Sequence, residues 1–296
     1  MRTASIRWRG AEMAAVVVPG GFVPVDVINQ RCGKKWSLDM LDLITGGGFD
    51  QLHEWYRSGG KERLEKERPL SLDEAAYAPP YRHPPKLWGI GLNYVEHAAD
   101  LAEKAPDDEP ASFMKPDTTI IGPGEAIAIP LQSEKTTAEA ELGVVMGRKC
   151  RDVERGDWLS VVAGFTTILD VTAEDILRRN PRFLTRAKSF DTFFSFGPQL
   201  VTPDEIADVM RLTVSTVING NVYAKNVVSN MTFPPDFLVS FHSRVMTLLP
   251  GDIISTGTPK AVPVRDGDVV ECQIDGFATL ANPVIDLKKQ PGTDGS

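Results

Sequence analysis

The sequence predicts an α+β protein that is mainly β, a β-rich roll or barrel with a few helices, preceded by a small α+β N-terminal domain. Three observations carry this expectation. From Leu87 onward, short runs rich in Val, Ile and Thr alternate with Gly and Pro turns, a spacing that disfavours a parallel α/β sheet. The first 80 residues have a different character and end in YAPPYRHPPK, where four prolines without periodicity mark an extended crossing. Finally, 296 residues with 42% hydrophobic and 24% charged side chains suffice for one large and one small domain.

Within residues 1–80, AAVVVPGGFVPVDVIN reads as two short strands around a Pro-Gly-Gly turn, followed by charge-rich helical pieces in FDQLHEWYRSGGKERLEKERPLSLDEAAYAPP. Residues 81–296 form the second domain. Its strands are expected in LWGIGLN, EAIAIP, ELGVVMG, VVAGFTTILDV, MRLTVSTVING, DIISTG and DVVECQIDGFATLANPVI. Helices are expected in YVEHAADLAEK, AEDILRRN and FPPDFLVSFHSRVMTLL. No internal repeat and no low-complexity segment breaks this order.

A net charge of −8 argues against nucleic-acid and anionic-membrane partners, both of which call for a basic surface. Cys32, Cys150 and Cys272 are odd in number and far apart, which suits free thiols in a reducing compartment. The apolar run near the N-terminus is cut by Pro-Gly-Gly before it reaches the length of a signal sequence, and no stretch reaches the ~18 apolar residues of a membrane span. A cytoplasmic protein is the expectation.

In TAEAELGVVMG, an extended chain puts Glu139 and Glu141 on one face about 7 Å apart, with Ala140, Leu142, Val144 and Met146 on the other. Further on, AGFTTILDVTAED reads as an apolar strand that stops at Asp170, a strand-end position that a ligand can reach. Three acids converging without a basic partner repel one another, and a divalent cation removes the conflict. With oxygen ligands alone the ion is hard, Mg²⁺ most naturally and Mn²⁺ or Ca²⁺ next. The spacing equally fits an edge strand with Glu139 and Glu141 facing solvent and Asp170 capping the following helix.

The motifs GLNYVEHAADL, FMKPDTTIIGPGEAIAIP, EAELGVVMGRKC, FTTILDVTAED, RAKSFDTFFSFGP, INGNVYAKN, LLPGDIISTGTP and GDVVECQIDGFATLANPV, taken in order over residues 85–285, resemble the fumarylacetoacetate hydrolase family. The resemblance implies a mixed β-roll catalytic domain behind a variable small domain, a homodimer, and Mg²⁺ or Mn²⁺ held by Glu139, Glu141 and Asp170. It also implies that His97 and Asp100, three residues apart on one helix face, draw a proton from water. The family's acid at the latter position is commonly Glu. Lys188 corresponds to the active-site lysine that balances oxyanion or enolate charge. Thr192 is placed beside the metal, Thr258 on a substrate carboxylate, and Lys115 as a second anion contact.

Several positions depart from the family pattern. Glu174 stands where an arginine usually helps to bind substrate, Leu177 where a glutamine is common, and Lys260–Pro263 replaces a Gly-Val-Gly turn. These changes strip a positive charge and a donor from the pocket wall. The expected function is metal-dependent hydrolysis of a carbon–carbon bond in a 2,4-dioxo acid or acylpyruvate, a small 2-oxo acid, through an enolate held by the metal. The same enolate allows decarboxylation of an oxaloacetate-like acid or isomerisation of a 2-oxo-enoic diacid. A non-catalytic metal- or ligand-binding protein is the third reading, motivated by Glu174 and Leu177.

Overall fold

A computed structural model describes residues 1–94 and 108–290. Two sheets organise them. The larger has twelve strands, and its main path runs Gly21–Pro24, Ala11–Val18, Arg2–Trp8, Phe194–Val201, Val162–Ala173, Thr136–Met146, Ile253–Ser255, Leu87–Gly91 and Ala111–Met114. The smaller has five, in the order Asn221–Val227, Thr213–Ile218, Val269–Ile274, Leu280–Asp286 and Ile127–Ile129. Most neighbours are antiparallel. Leu87–Gly91 beside Ile253–Ser255 and Ile127–Ile129 beside Leu280–Asp286 are parallel. The mainly β, mixed-sheet class expected from the spacing of turns is therefore what the chain adopts.

Thr136–Met146 is buried along its whole length because it is central. Val162–Ala173 pairs with it on one edge, and Ile253–Ser255 and Val262–Pro263 share the other. Its apolar alternate residues, Ala138, Ala140, Leu142 and Val144, pack in one cluster with Val214, Val270 and Cys272 of the smaller sheet. Burial of a residue such as Leu142 contributes roughly 1.5–3 kcal/mol, so the period-two pattern that marks the strand also fixes which face meets the second sheet. The opposite face is left for Glu139 and Glu141.

Two expectations need correction. The alternative of an exposed edge strand fails, since both edges of Thr136–Met146 are paired. Asp170 does not end its strand either: Val171, Thr172 and Ala173 continue the ladder opposite Ala138, Thr137 and Thr136. The change from apolar to polar residues at Asp170 marks a change in what that face meets rather than the end of pairing.

The Pro-Gly-Gly turn joins Ala11–Val18 to Gly21–Pro24, as the sequence suggests. Arg2–Trp8 pairs with Phe194–Val201, Arg2 opposite Val201 and Thr3 opposite Leu200, so the larger sheet runs without interruption into the first residues. Ile28, Leu43 and Leu52, from three helices of the first 80 residues, share a cluster with Val145, Phe196 and Ile253. The expected helices appear at Glu174–Arg179 and Pro235–Val245. The one expected in YVEHAADLAEK falls, from Val95 on, outside the described residues. All three cysteines are free thiols. Among the described residues no helix is long and apolar enough to cross a membrane.

Candidate metal centre

Register brings the acids together. Asp170 lies directly opposite Glu139 and Ile168 opposite Glu141. Residues directly opposite share a face with Cβ atoms roughly 4.5–5.5 Å apart, and Glu141 follows two residues along the same face as Glu139. Oxygen atoms of the three carboxylates lie within 4.8 Å of one another. Glu139 is 7% exposed, Glu141 and Asp170 1% each.

Each carboxylate has its own supports. Glu139 accepts from the Thr172 hydroxyl at 2.6 Å and from Lys188 Nζ at 3.0 Å. Asp170 accepts from Lys188 Nζ at 2.6 Å through one oxygen and from Lys115 Nζ through the other. Glu141 Oε2 accepts from Ser255 Oγ at 2.6 Å and from the Gly257 amide at 2.7 Å. Gly257 has φ +96°, and a Cβ there would lie 2.7 Å from Asn93 Cβ, so only glycine delivers this amide without displacing its neighbours. Asn93 is itself fully buried and bonded to Phe233 and to the Thr256 carbonyl.

The acids are therefore not without basic partners, contrary to the reading of their spacing. Lys115 and Lys188 come from separate segments and meet among them. Lys115 has a side chain with 0% exposure. It donates to Asp170, to the Phe193 carbonyl at 2.6 Å and to the Val171 carbonyl at 3.3 Å, so its three N–H groups are all taken by protein oxygens. Burial pushes its pKa down to about 8 against the pull of Asp170. Lys188 is also buried, which lowers its pKa, but Asp170, Glu139 and Glu141 outweigh burial and raise it above the ordinary lysine range.

The acids divide in the same way. Burial opposes ionisation of Asp170, yet the Lys115 and Lys188 charges prevail and hold it below the usual carboxylate range. For Glu141, burial comes first and the Asp170 and Glu139 charges add to it, carrying the pKa up to about 8. Three carboxylates and two ammonium groups leave one net negative charge when all are ionised. The protein removes that excess by protonating Glu141, or a divalent ion removes it by binding. The all-oxygen donor set fits a hard divalent cation.

The remaining expected site residues fall as follows. Thr258 Oγ1 bonds the backbone of Lys260, both its carbonyl (3.1 Å) and its amide (3.3 Å), closing its own turn. Thr192 has φ +70°, and its hydroxyl accepts from the Ala128 amide at 2.8 Å. His97 and Asp100 lie outside the described residues. Leu177 packs against the main core. Val262 and Pro263, in the departing loop, pair with Ala138 and Thr137, the strand that carries the glutamates.

Thr172, Ser255 and Asn93 escape a reading of the sequence, whereas Gly257, the glycine before Thr258 in STGTP, is legible there as a point of close backbone approach. Of the three, only Thr172 carried a signal, its two-residue offset from Asp170. A cleft of about 450 Å³ in the N-terminal region, lined by Val27, Ile28, Cys32, Trp55 and Leu64 among others, contains none of these residues.

Comparison with known proteins agrees with this arrangement. The family model described as fumarylacetoacetate (FAA) hydrolase C-terminal matches residues 86–285. A mitochondrial oxaloacetate tautomerase of Rattus norvegicus is 36% identical over 277 residues, covering 90% of this chain and 85% of that protein. The structure of maleylpyruvate hydrolase from Sphingobium sp. SYK-6 in complex with manganese(II) and pyruvate superposes with a TM-score of 0.79 at 26% identity, covering 97% of this chain and 99% of that one. The structure of 5-carboxymethyl-2-hydroxymuconate delta-isomerase from Mycobacterium smegmatis gives 0.73 at 29% identity, covering 97% and 99%. With its motifs in order, its three carboxylates on one buried face and a family match across most of its length, the chain belongs to the fumarylacetoacetate hydrolase family.

Proposed function

We propose that this enzyme catalyses isomerisation or tautomerisation of an oxaloacetate-like acid or a 2-oxo-enoic diacid, by moving a proton at the carbon beside the keto group. The observation that carries the proposal is a buried carboxylate triad braced by a lysine, Lys188, that spends two donors on it and finds no protein acceptor for the third among the described residues. Glu139, Glu141 and Asp170 would hold Mg²⁺ or Mn²⁺. When bound, the ion supplies electrophilic stabilisation of the negative charge that grows on the keto oxygen as the proton leaves.

The chain's own residues do the rest. Lys188 carries a fixed positive charge with a donor to spare, so it can hold an incoming oxygen and balance enolate charge. Lys115 keeps Asp170 ionised and oriented without touching the substrate. Ser255 and the Gly257 amide aim Glu141. His97, supported by Asp100, is the proposed group that takes the proton and returns it elsewhere on the substrate. Burial of the triad keeps its charges in a medium where they interact strongly.

Proton transfer alone consumes no water, and the names of the tautomerase and isomerase relatives favour it over hydrolysis of an acylpyruvate, the first expectation from sequence. Hydrolysis stands as a second reading on the likeness to the maleylpyruvate hydrolase. The test incubates the Mg²⁺- and Mn²⁺-loaded protein with oxaloacetate, 2-oxo-enoic diacids and acylpyruvates, following enol absorbance and products. Keto–enol or double-bond interconversion without loss of carbon is the expected result. Release of pyruvate with a second carboxylic acid would favour hydrolysis, release of pyruvate with carbon dioxide would favour decarboxylation, and either as the dominant reaction would overturn the proposal.

A further inference from the structure

Glu174 stands where the family's arginine would be, and the sequence alone suggests that a positive charge has been lost from the pocket wall. The structure relocates that charge instead. Glu174 is 5% exposed. Its Oε2 lies 2.8 Å from Lys135 Nζ, and its Oε1 accepts from Arg178 Nε at 2.5 Å. Two cations converge on one carboxylate, leaving one net positive charge and N–H donors on both the ammonium and the guanidinium that no other acceptor among the described residues takes up.

Lys135 shares the strand face that bears the metal ligands, and Arg178, one helical turn beyond Glu174, bonds the same carboxylate. Along Thr136–Met146 and the residue before it, Lys135, Thr137 and Glu139 alternate onto one side. Along Val162–Ala173, Asp170 and Thr172 do the same, and Glu174, the first residue of the following helix, comes opposite Lys135. The Thr172 hydroxyl on Glu139 shows that this is the metal's side, and the Glu174 amide donates to the Lys135 carbonyl at 2.9 Å, extending the register. Exposure rises in the same direction. Asp170 and Thr172 are closed off, while the Lys135 and Arg178 side chains are 43% and 57% exposed.

Four residues of strand span about 13 Å, and a lysine side chain reaches back about half of that. The remaining gap matches the length of a five- or six-carbon acid.

We infer that Lys135 and Arg178, gathered by Glu174, form a second anion-binding point that reads the distal carboxylate of a 2-oxo dicarboxylic acid whose first carboxylate and keto oxygen face the triad. The inference rests on the proposed function and narrows its diacids to those of about five or six carbons. Glu174 acts here as a positioning residue. A single arginine at its place would contribute one cation; this chain uses a carboxylate to hold two, Lys135 just before the strand Thr136–Met146 and Arg178 in the helix Glu174–Arg179.

The test compares 2-oxoadipate with 2-oxohexanoate, equal in length and differing in the distal carboxylate, by calorimetric binding to the Mn²⁺-loaded full chain. Wild type should prefer the diacid by about tenfold or more, as expected for a charge-assisted contact. The double variant Lys135→Met/Arg178→Met should bring the two acids within about twofold while leaving 2-oxohexanoate affinity unchanged. Arg178→Lys should recover part of the preference.

Metal-dependent but equal binding of the two acids by wild type would overturn this inference alone, as would an unchanged ratio in the double variant. Failure of both acids to bind in a metal-dependent way would overturn the proposed function and the inference together.

Discussion

Lys115→Met separates a counter-charge from a ligand contact. The Lys115 side chain is fully buried, and its three donors serve Asp170 and the carbonyls of Val171 and Phe193. Methionine fills nearly the same volume and supplies no donor. In the metal-free protein the variant leaves Asp170 with Lys188 alone and takes a donor from the Val171 and Phe193 carbonyls, the latter keeping the Val171 amide at 3.1 Å. Removing one member of a buried pair costs about 3–5 kcal/mol, which for a chain of this size lowers Tm by roughly 6–20 °C at 2–4 °C per kcal/mol.

The loaded protein should respond differently, because a divalent ion restores positive charge beside Asp170. With every group ionised, wild-type net charge at the centre is one negative without the ion and one positive with it. In the variant it is two negative without and zero with. The ion should therefore stabilise the variant more than the wild type, and at saturating metal each tenfold by which the variant binds more tightly recovers about 1.4 kcal/mol of the loss. Urea unfolding of both proteins, in chelator and in Mn²⁺, measures all four corners of the cycle. Equal destabilisation by the mutation with and without metal would show that Lys115 and the ion do not share the job of neutralising the triad, and the charge argument would fall.

Other consequences can be checked together. Glu139→Gln and Asp170→Asn should each abolish metal binding and turnover in parallel, read by calorimetry and by the enol assay. Retention of full activity in chelator-treated buffer would refute the ligand assignment. Because burial and its neighbours raise Glu141 to about 8, binding the ion must expel a proton at lower pH. Metal affinity should then fall by about tenfold per pH unit below 8, or 1.36 kcal/mol each, and calorimetry in buffers of different ionisation enthalpy should report a proton released near pH 7; a flat profile would refute it. Gly257→Ala should cost about 1–3 kcal/mol in urea unfolding from its left-handed backbone alone, with an added loss of metal affinity as the amide withdraws from Glu141. Unchanged affinity would show that this amide does not orient the ligand.

How much of this was legible in the sequence depends on distance along the chain. Glu139 and Glu141 share a face because of a period-two pattern, and that is visible in five residues. The Val-, Ile- and Thr-rich runs between Gly and Pro turns announced most strands, and the helix after Asp170 was equally plain. What escaped was pairing between segments. Lys115 and Lys188 lie 55 and 18 residues from Asp170, and Ser255 lies 114 from Glu141, so no local pattern links them.

The order of motifs supplied Lys188 and the triad, yet it read Glu174 as a charge lost, because the cations that answer it are on a neighbouring strand and one helical turn away. Asp170 was misplaced at a strand end for a related reason. Local sequence reports a change of environment, whereas continued pairing with Thr136–Ala138 is a property of the partner strand.

The same register sets both stability and chemistry. A slip of Thr136–Met146 by one residue would turn Glu139 and Glu141 into the cluster now filled by Ala138, Ala140, Leu142, Val214 and Cys272. Two carboxylates would then be buried among apolar side chains, at several kcal/mol each, while four apolar residues would face the lysines. That penalty exceeds what most single substitutions cost, so the triad is protected by the core behind it. The residues just beyond the strand ends have no such protection. Lys135, Glu174 and Arg178 can change identity without moving a ligand, and Glu174 is one of the positions at which this chain departs from the family pattern. Under the proposed function reactivity is anchored mid-strand and selectivity lies at the ends, so a substitution at Glu174 should alter which acid binds long before it alters whether the ion does.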